Sequence, residues 1–570
     1  MTVSGLALFV LLASCSSSET KTPEASAQAP DLCIENATVY TGEGTAIRNA
    51  VISVTNGTID ALGAAGDTLD CQRYADQGTK IINLEGSFVY PGFVDAHSHF
   101  LGIGLRELTL NLEGTASIKM LKERLGEVVK SAPVGSTIYG RGWIETHWPE
   151  NRFPTRQDLD EVAPDHPVIL NRADGHASVV NTKALEMSGI TKDTKPPFGG
   201  DILLGKDATP TGMLIDMAQS LVSGLLTEPS LERKQAAYIK AGEVYAAYGW
   251  TGTQSMSGEP ENIKLLEQLS DEGKVGLRVY NAVDITNAGP LLDAIASDGP
   301  QSNANGHIVS RGVKLYVDGA LGSRGAALLA PYSDDPENSG LLLTEKSTIL
   351  PILERALRDG IQVSTHAIGD RANRLALDWY EESFANVPVS ERKVAEPRWR
   401  IEHSQILDVT DIKRFAELGV IASMQPSHAI GDLYFAPDRL GSERLQGGYA
   451  WRSLIDSGAI IAGGSDAPVE RGDPRIEFYA AVARKSVDGF SNSDWNPEQR
   501  VTREEALKMF TVWAAYAAFE EDSAGTITVG KNADFTVFDK DIMTIPEAEI
   551  LTLKTVMTIV DGIVVYKNPD

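Results

Sequence analysis

Eight short apolar runs recur through the middle of the chain, each closed by polar or glycine residues. They are residues 93–97 (FVDAH), 249–256 (GWTGTQSM), 276–283 (GLRVYNAV), 312–319 (GVKLYVDG), 361–367 (IQVSTHA), 398–404 (RWRIEHS), 420–427 (VIASMQPS) and 460–467 (IIAGGSDA). Apolar runs of this length, bounded by turn residues, predict strands. Helical stretches separate them. Strands alternating with helices predict βα units and a parallel sheet, and eight of them predict a (β/α)8 TIM-type barrel of the α/β class. The spacing is fairly regular from the second strand on. Between the first and second lies an insertion of about residues 105–240, holding GRGWIETHW (140–148), HPVILNRADGHASVVNTKAL (166–185) and a Gly/Pro-rich segment at 196–200. An insertion after a barrel strand lies over the C-terminal face, where active sites form.

The two ends follow a different pattern. Residues 31–90 show short alternating runs with an Asn56-Gly57 hairpin turn, and residues 521–570 repeat the pattern with Asp561-Gly562. Both predict strands, so a small β-sandwich built from both chain ends is expected beside the barrel. The expected boundaries are 31–90 and 521–570 for the sandwich and 91–520 for the barrel with its insertion.

The first 30 residues are expected to lie outside the fold. Leu6 to Ala13 is an apolar run too short to span a bilayer and reads as the core of a signal peptide, residues 1–14. Leu12-Ala13-Ser14-Cys15 resembles the lipobox of bacterial lipoproteins, in which Cys15 would be lipidated after cleavage. Residues 15–30 then read as a lipidated cysteine and a flexible tether. No Lys or Arg precedes the apolar run, a departure from the usual signal pattern; a plain cleaved signal peptide with an incidental Cys15 is the alternative. The expected location is the bacterial cell envelope, facing the periplasm and anchored to membrane by lipid. Cys33 and Cys71 remain: in an exported chain they could pair, or stay as two small core residues.

Charge narrows the partners. Lys+Arg number 51 and Asp+Glu 78 in 570 residues, a net −27. An acidic surface argues against nucleic acid and anionic membrane surfaces and says little about substrate. A small-molecule substrate is expected, and oligomeric state is not legible.

The candidate chemistry sits at strand ends. His97 and His99 are two apart, so on a strand both imidazoles share a face and could close on one metal ion. Only nine histidines occur in the chain, yet His366 and His403 also end apolar runs, and Asp466 ends a third. Lys314 shares a face with Tyr316 and Asp318. A bare ammonium in a barrel interior is costly. Two readings follow: an ion pair with a buried acid such as Asp318 or Asp466, or a lysine carboxylated by carbon dioxide. The surrounding strand-end ligands favour the carbamate.

In order along the chain, PGFVDAHSH, RADGHASVVNTKAL, GVKLYVDGALGSRGAAL, THAIGDRAN, RIEHSQ, ASMQPSHA and GSDAPVE resemble the amidohydrolase superfamily. Within it they resemble the amidohydrolase 3 group, which includes N-substituted formamide deformylase-like enzymes. The resemblance spans about residues 33–567. It implies a metal-dependent hydrolase with two divalent ions: His97 and His99 on the more buried one, Lys314 as bridging carbamate, His366 and His403 on the second, and Asp466 as ligand and proton shuttle. Zinc suits such ligands, although manganese or iron would also be tolerated. The implied reaction is cleavage of a non-peptide amide-like C–N bond by a metal-bridging hydroxide. Deamination, or ester or lactone cleavage, on the same scaffold is the alternative, and a non-catalytic metal-binding lipoprotein is a further one.

By the same resemblance His176 and His428 are expected to face the substrate. Arg324 either binds an anionic group or makes an ion pair. Trp143, together with Glu145, His147 and Trp148, either shapes a substrate pocket or packs as an aromatic cluster. His166 and His307 read as surface residues, and Met187, Met213 and Met217 as core.

Overall fold

The computed structural model describes residues 29–569, apart from 67–68, 146–147, 174, 176, 198–199, 227, 492–494 and the side chain of Asp216. Cys15, His147 and His176 therefore lie outside the described residues. The expected barrel is present. Its strands are β1 (Phe93–Ser98), β2 (Trp250–Gly258), β3 (Arg278–Asp284), β4 (Ile308–Tyr316), β5 (Gln362–Ala367), β6 (Arg400–His403), β7 (Ile421–Met424) and β8 (Ile461–Gly463). All neighbours pair in parallel, in chain order. Closure between β8 and β1 rests on the loop after β8. Asp466 N–H donates to the His97 carbonyl and His99 N–H to the Ala467 carbonyl, each at 2.7 Å.

The strands are apolar because both faces are covered, as parallel strands in such a barrel require. The helix Leu231–Tyr248 shows how the outer layer is specified. Ala237, Ala241 and Tyr245 recur every four residues and, with Tyr238, Gly242 and Ala246, form its buried stripe. The Ser230 side chain caps its start, and Gly249, at φ 108°, ends it in the left-handed region where glycine carries no steric penalty. The stripe packs on the helix Phe100–Glu107, which follows His99 directly. A Cβ on Gly104 would lie 1.7 Å from the Ala237 carbonyl oxygen. Only glycine permits that approach, and it sets the helix behind the His-x-His segment.

Strands from both chain ends form one eight-stranded sheet, with Phe88–Pro91 pairing antiparallel with Phe535–Phe538 at the junction. Its core joins Leu32, Ile34 and Val39 from the first end to Phe535, Val537 and Ile559 from the second. Both predicted hairpin turns form: Asn56 and Gly57 have φ of 49° and 75°, and Asp561 and Gly562 of 50° and 72°. Positive φ at both central residues matches the right-handed twist of the flanking strands. Cys33 and Cys71, both fully buried, form a disulfide across 38 residues, so the pairing left open by the sequence is made.

The insertion carries its own six-stranded sheet. Trp143 and Trp148 lie in the core of this unit with Leu121, Leu125 and Leu170. Trp143 is fully buried, and its indole N–H donates to the Leu170 carbonyl at 2.8 Å. The expectation that Trp143 lines a substrate pocket is thus corrected: its apolar area is spent on the insertion core, where a large buried side chain contributes about 1.5–3 kcal/mol. Two smaller expectations also change. His166 is buried and bonded to the Ser136 carbonyl, and His307 is paired with Asp561, so neither is a free surface residue. Met213 is core, but Met187 and Met217 are exposed. Among the described residues no helix is long and apolar enough to cross a membrane.

Candidate metal centre

The C-terminal ends of the barrel strands bring His97, Lys314, His366, His403 and Asp466 together, with His99 just beyond β1. The ring centroids of His97 and His403 are 4.8 Å apart, and those of His403 and His366 are 4.6 Å apart. Ligand atoms of His97, His403 and Asp466 all lie within 4.8 Å of one another. His99 Nε2 is 3.1 Å, and His97 Nε2 3.6 Å, from Asp466 Oδ1.

The backbone aims two of these side chains. On β6, Arg400 and Glu402 share one parity, and strict alternation would send His403 to the opposite face. His403 and Ser404 instead have φ of 76° and 43°, and Asp466 has 60°. Non-glycine residues rarely occupy this region. Here the turn at the strand end brings His403 to the same centre as His97. Asp95 fixes the loop bearing Asp466. Its buried carboxylate accepts from the backbone N–H groups of His97 (3.1 Å) and Ser465 (2.9 Å) and from the hydroxyls of Ser465 (2.5 Å) and Tyr245 (2.8 Å). Burial lifts its pKa to about 6 in spite of these bonds.

Three imidazoles are held in one tautomer. His97 Nδ1–H donates to Glu402 Oε2 at 2.6 Å, His99 Nδ1–H to the Met256 carbonyl at 3.1 Å, and His403 Nδ1–H to Gln425 Oε1 at 2.8 Å. Each leaves Nε2 free as a lone-pair donor. Metal-binding histidines characteristically tie their second nitrogen in this way. Burial, with the neighbouring Lys314, lowers the pKa of His97 to about 4 and of His366 to about 3. Burial and the adjacent rings of His366 and His97 hold His403 well below its usual range. These rings are neutral at pH 7, the form that binds metal. Burial alone would push the Asp466 carboxyl up, but the imidazoles of His97, His99 and His403 outweigh it and hold the group ionised.

Glu402 is itself fully buried and paired with Arg400 at 2.8 Å. Burial works against its charge, yet Arg400 and His97 hold its carboxyl well below the usual carboxylate range. Arg400 also donates to the Ala96 carbonyl (2.6 Å), the Ser423 hydroxyl (2.7 Å) and Gln254. It therefore ties β1, β2, β6 and β7 together beneath the centre.

Lys314 is 1% exposed, and its Nζ is 3.5 Å from His97 Nε2. No ion pair forms between it and a carboxylate of the described residues. Asp318, one of the two acids the sequence offered as partner, accepts instead from the N–H groups of Ala327 (2.8 Å), Ile368 (2.9 Å) and Gly369 (2.8 Å). Burial lowers the Lys314 pKa to about 8 against the pull of Glu402 and Asp466.

His428 differs from the other rings. The Gln405 side-chain N–H donates to its Nδ1 at 3.0 Å, which puts the ring proton on Nε2. That atom, buried and without a hydrogen-bond partner among the described residues, lies 3.6 Å from Asp466 Oδ2 and 3.9 Å from Glu470 Oε1. Burial holds this ring neutral too. A cleft of about 360 Å³ opens alongside, lined by Ser427, Glu470, Arg141 and Tyr434 among others. Arg324 does not face it. Its guanidinium is engaged by Asp334 at 3.2 and 2.9 Å, which corrects the anion-binding expectation in favour of the ion pair.

Asp95, Arg400, Glu402, Gln405 and Gln425 were not foreseen as site residues. Arg400 and Glu402 left a legible trace, two opposite charges of one parity inside a buried strand.

Residues 80–566 match the amidohydrolase family, so the chain belongs to it. It is 32% identical over 537 residues to a Bacillus subtilis protein named as amidohydrolase YtcJ, covering 93% of this chain and 98% of that one. It is 27% identical to N-substituted formamide deformylase of Arthrobacter pascens, covering 95% of this chain and 99% of that one. Among solved structures, a metal-dependent hydrolase from Pyrococcus horikoshii OT3 superimposes with a TM-score of 0.72 at 27% identity, covering 90% of this chain and 99% of that one.

Proposed function

We propose that this protein is a metal-dependent hydrolase of non-peptide amide-like C–N bonds, with His97, His99, Lys314, His366, His403 and Asp466 holding two divalent ions, zinc first among them. The observation that carries the reading is the set of three imidazoles with Nδ1 tied and Nε2 free around an ionised Asp466. The buried atoms His366 Nε2 and Asp466 Oδ1, without a hydrogen-bond partner among the described residues, fit the same donor set. Bound there, two divalent ions would supply a water acidic enough to attack at neutral pH and would polarise the scissile carbonyl. Asp466 takes the proton of the attacking water and delivers it to the leaving nitrogen, as base and then acid. His428, with its proton on Nε2, donates to the carbonyl oxygen. His176 belongs to the same group of substrate-facing residues on the resemblance of RADGH. Lys314, carboxylated by carbon dioxide, would help to hold the two ions as an anionic carbamate. Its support is the buried amine, which has no acid partner among the described residues.

The same reading makes the chain an envelope lipoprotein anchored through Cys15 and facing the periplasm. The Cys33–Cys71 disulfide supports export, since disulfides persist in oxidising compartments. The test of the activity is turnover of a panel of simple amides and esters by metal-loaded protein. Release of amine from amides supports the reading, and turnover of esters alone contradicts it.

A further inference from the structure

Two neighbouring imidazoles at the centre are held in opposite tautomers. His403 and His428 stack with ring centroids 5.9 Å apart and planes 22° from parallel. A glutamine meets Nδ1 of each, and the two present opposite ends of the same side chain. Gln425 turns its oxygen to His403 at 2.8 Å. An amide oxygen only accepts, so the proton of His403 lies on Nδ1 and Nε2 keeps the lone pair. Gln405 turns its nitrogen to His428 at 3.0 Å. An amide N–H only donates, so the proton of His428 lies on Nε2.

Each sense has separate support. Gln425 Nε2 donates to the Ser423 carbonyl at 3.3 Å, which leaves its oxygen for His403. His428 Nε2 faces Asp466 Oδ2, a carboxylate oxygen, at 3.6 Å. A lone pair on that nitrogen would be repelled by the carboxylate, whereas a proton is attracted.

Gln405 is also seated from outside the centre. Its backbone carbonyl accepts from Tyr449 N–H at 2.6 Å. Tyr449 O–H donates to Asp432 Oδ2 at 2.7 Å, and its carbonyl accepts from Arg484 at 2.9 Å. Arg484 is buried between the Trp451 and Trp495 rings and donates further to the carbonyls of Gly448 (2.8 Å) and Trp495 (2.7 Å). Among the described residues no carboxylate pairs with it. A buried charge is costly unless its hydrogen bonds are made, and here two of them fix the segment on which Gln405 rests.

We infer that Gln405 is a positioning residue: by donating to Nδ1 it holds His428 with its Nε2–H turned to the reacting carbonyl, while Gln425, presenting the other end of the same side chain, keeps His403 as a lone-pair donor. The inference rests on the reading of His428 given above and adds the group that makes this ring a donor. Without Gln405, Nδ1 competes for the single ring proton, and the ring spends part of its time facing the substrate with a lone pair.

NMR of labelled histidine ring nitrogens in the zinc-loaded full chain reads the tautomer, with His428→Gln marking the His428 signals. The wild type should show Nε2 protonated and Nδ1 bare. Gln405→Met keeps the side-chain length but cannot donate, and its Nδ1 signal should move toward the protonated position. With N-methylformamide as substrate, kcat of this variant should fall roughly tenfold or more, up to the roughly 10²–10³-fold that removal of a whole oxyanion donor costs. KM and zinc content should stay as in the wild type, because the interaction is made in the transition state. A merely structural role would lower the urea midpoint and leave the tautomer alone. If Gln405→Met does not fold, Gln405→Glu serves: its ionised carboxylate only accepts, so Nδ1 should be protonated. A proton on Nδ1 in the wild type, or an unchanged tautomer in the folded variants, would overturn the inference. An altered tautomer with kcat unchanged would also overturn it and leave the hydrolase reading standing. Loss of zinc from Gln405→Met would overturn it as well, since Gln405 would then act on His403. If the wild type hydrolyses no amide, Nε2–H present there and lost in the variants would uphold the role of Gln405 and remove the C–N reading.

Discussion

Glu402 Oε2 accepts a hydrogen bond of 2.6 Å from His97 Nδ1 across 305 residues of chain, and both side chains are fully buried. The contact joins the first barrel strand to the sixth, and Arg400 supplies the charge that keeps Glu402 ionised. Glu402→Gln keeps the shape but weakens the acceptor. Metal affinity should fall roughly 10–100-fold, as for other partners of metal-bound histidine, measured by titration against a competing chelator. Glu402→Ala leaves Arg400 buried without its partner and should cost about 3–5 kcal/mol of stability, read as a lower urea midpoint. Unchanged metal affinity in Glu402→Gln would remove Glu402 from the site.

The eight strands were legible because a parallel barrel buries both faces, which leaves short apolar runs such as IQVSTHA. The candidate ligands stood out because those runs end in His or Asp. Glu402 did not, because its partner lies on a strand 305 residues away and only the closed barrel brings them together. His403 was legible as a residue type, but its φ of 76° was not. Trp143 misled because an aromatic residue in an insertion suits a pocket wall and a local core equally well. The insertion's own sheet, which gives Trp143 a core to fill, is a tertiary fact. Arg324 carried two readings, and Asp334, ten residues on, decides between them.

The disulfide should matter to the terminal sheet and not to the chemistry. Cys33 and Cys71 are 38 positions apart, and a cross-link of that span contributes about 2–4 kcal/mol, largely by restricting the unfolded chain. Cys71→Ser should lower the urea midpoint accordingly, leave kcat/KM unchanged, and abolish the sensitivity of the wild type to reductant. A midpoint that does not move would mean that the bridge carries no stability.

Lipid attachment is tested by Cys15→Ala. The wild type should sediment with membranes, and the variant should move to the soluble fraction or remain unprocessed. One acyl chain holds a protein only marginally, so firm sedimentation calls for the multiply acylated cysteine of a lipoprotein. Wild-type protein found wholly in the soluble fraction contradicts the anchor.

Lys314 separates a carbamate from a simple buried cation. Lys314→Ala should lose bound metal and activity, and a short carboxylic acid added in bicarbonate-free buffer should restore part of both. Lys314→Arg should fail as well, because a guanidinium stays protonated and cannot add carbon dioxide. Full metal occupancy in Lys314→Arg would count against the carbamate and for a plain cation.

The central claim is that this arrangement of imidazoles, Lys314 and Asp466 holds a pair of metal ions. Elemental analysis of the full chain, purified without chelator and reconstituted with zinc, tests it most directly. The site described here predicts about two divalent ions per chain. A value near zero after reconstitution would contradict it.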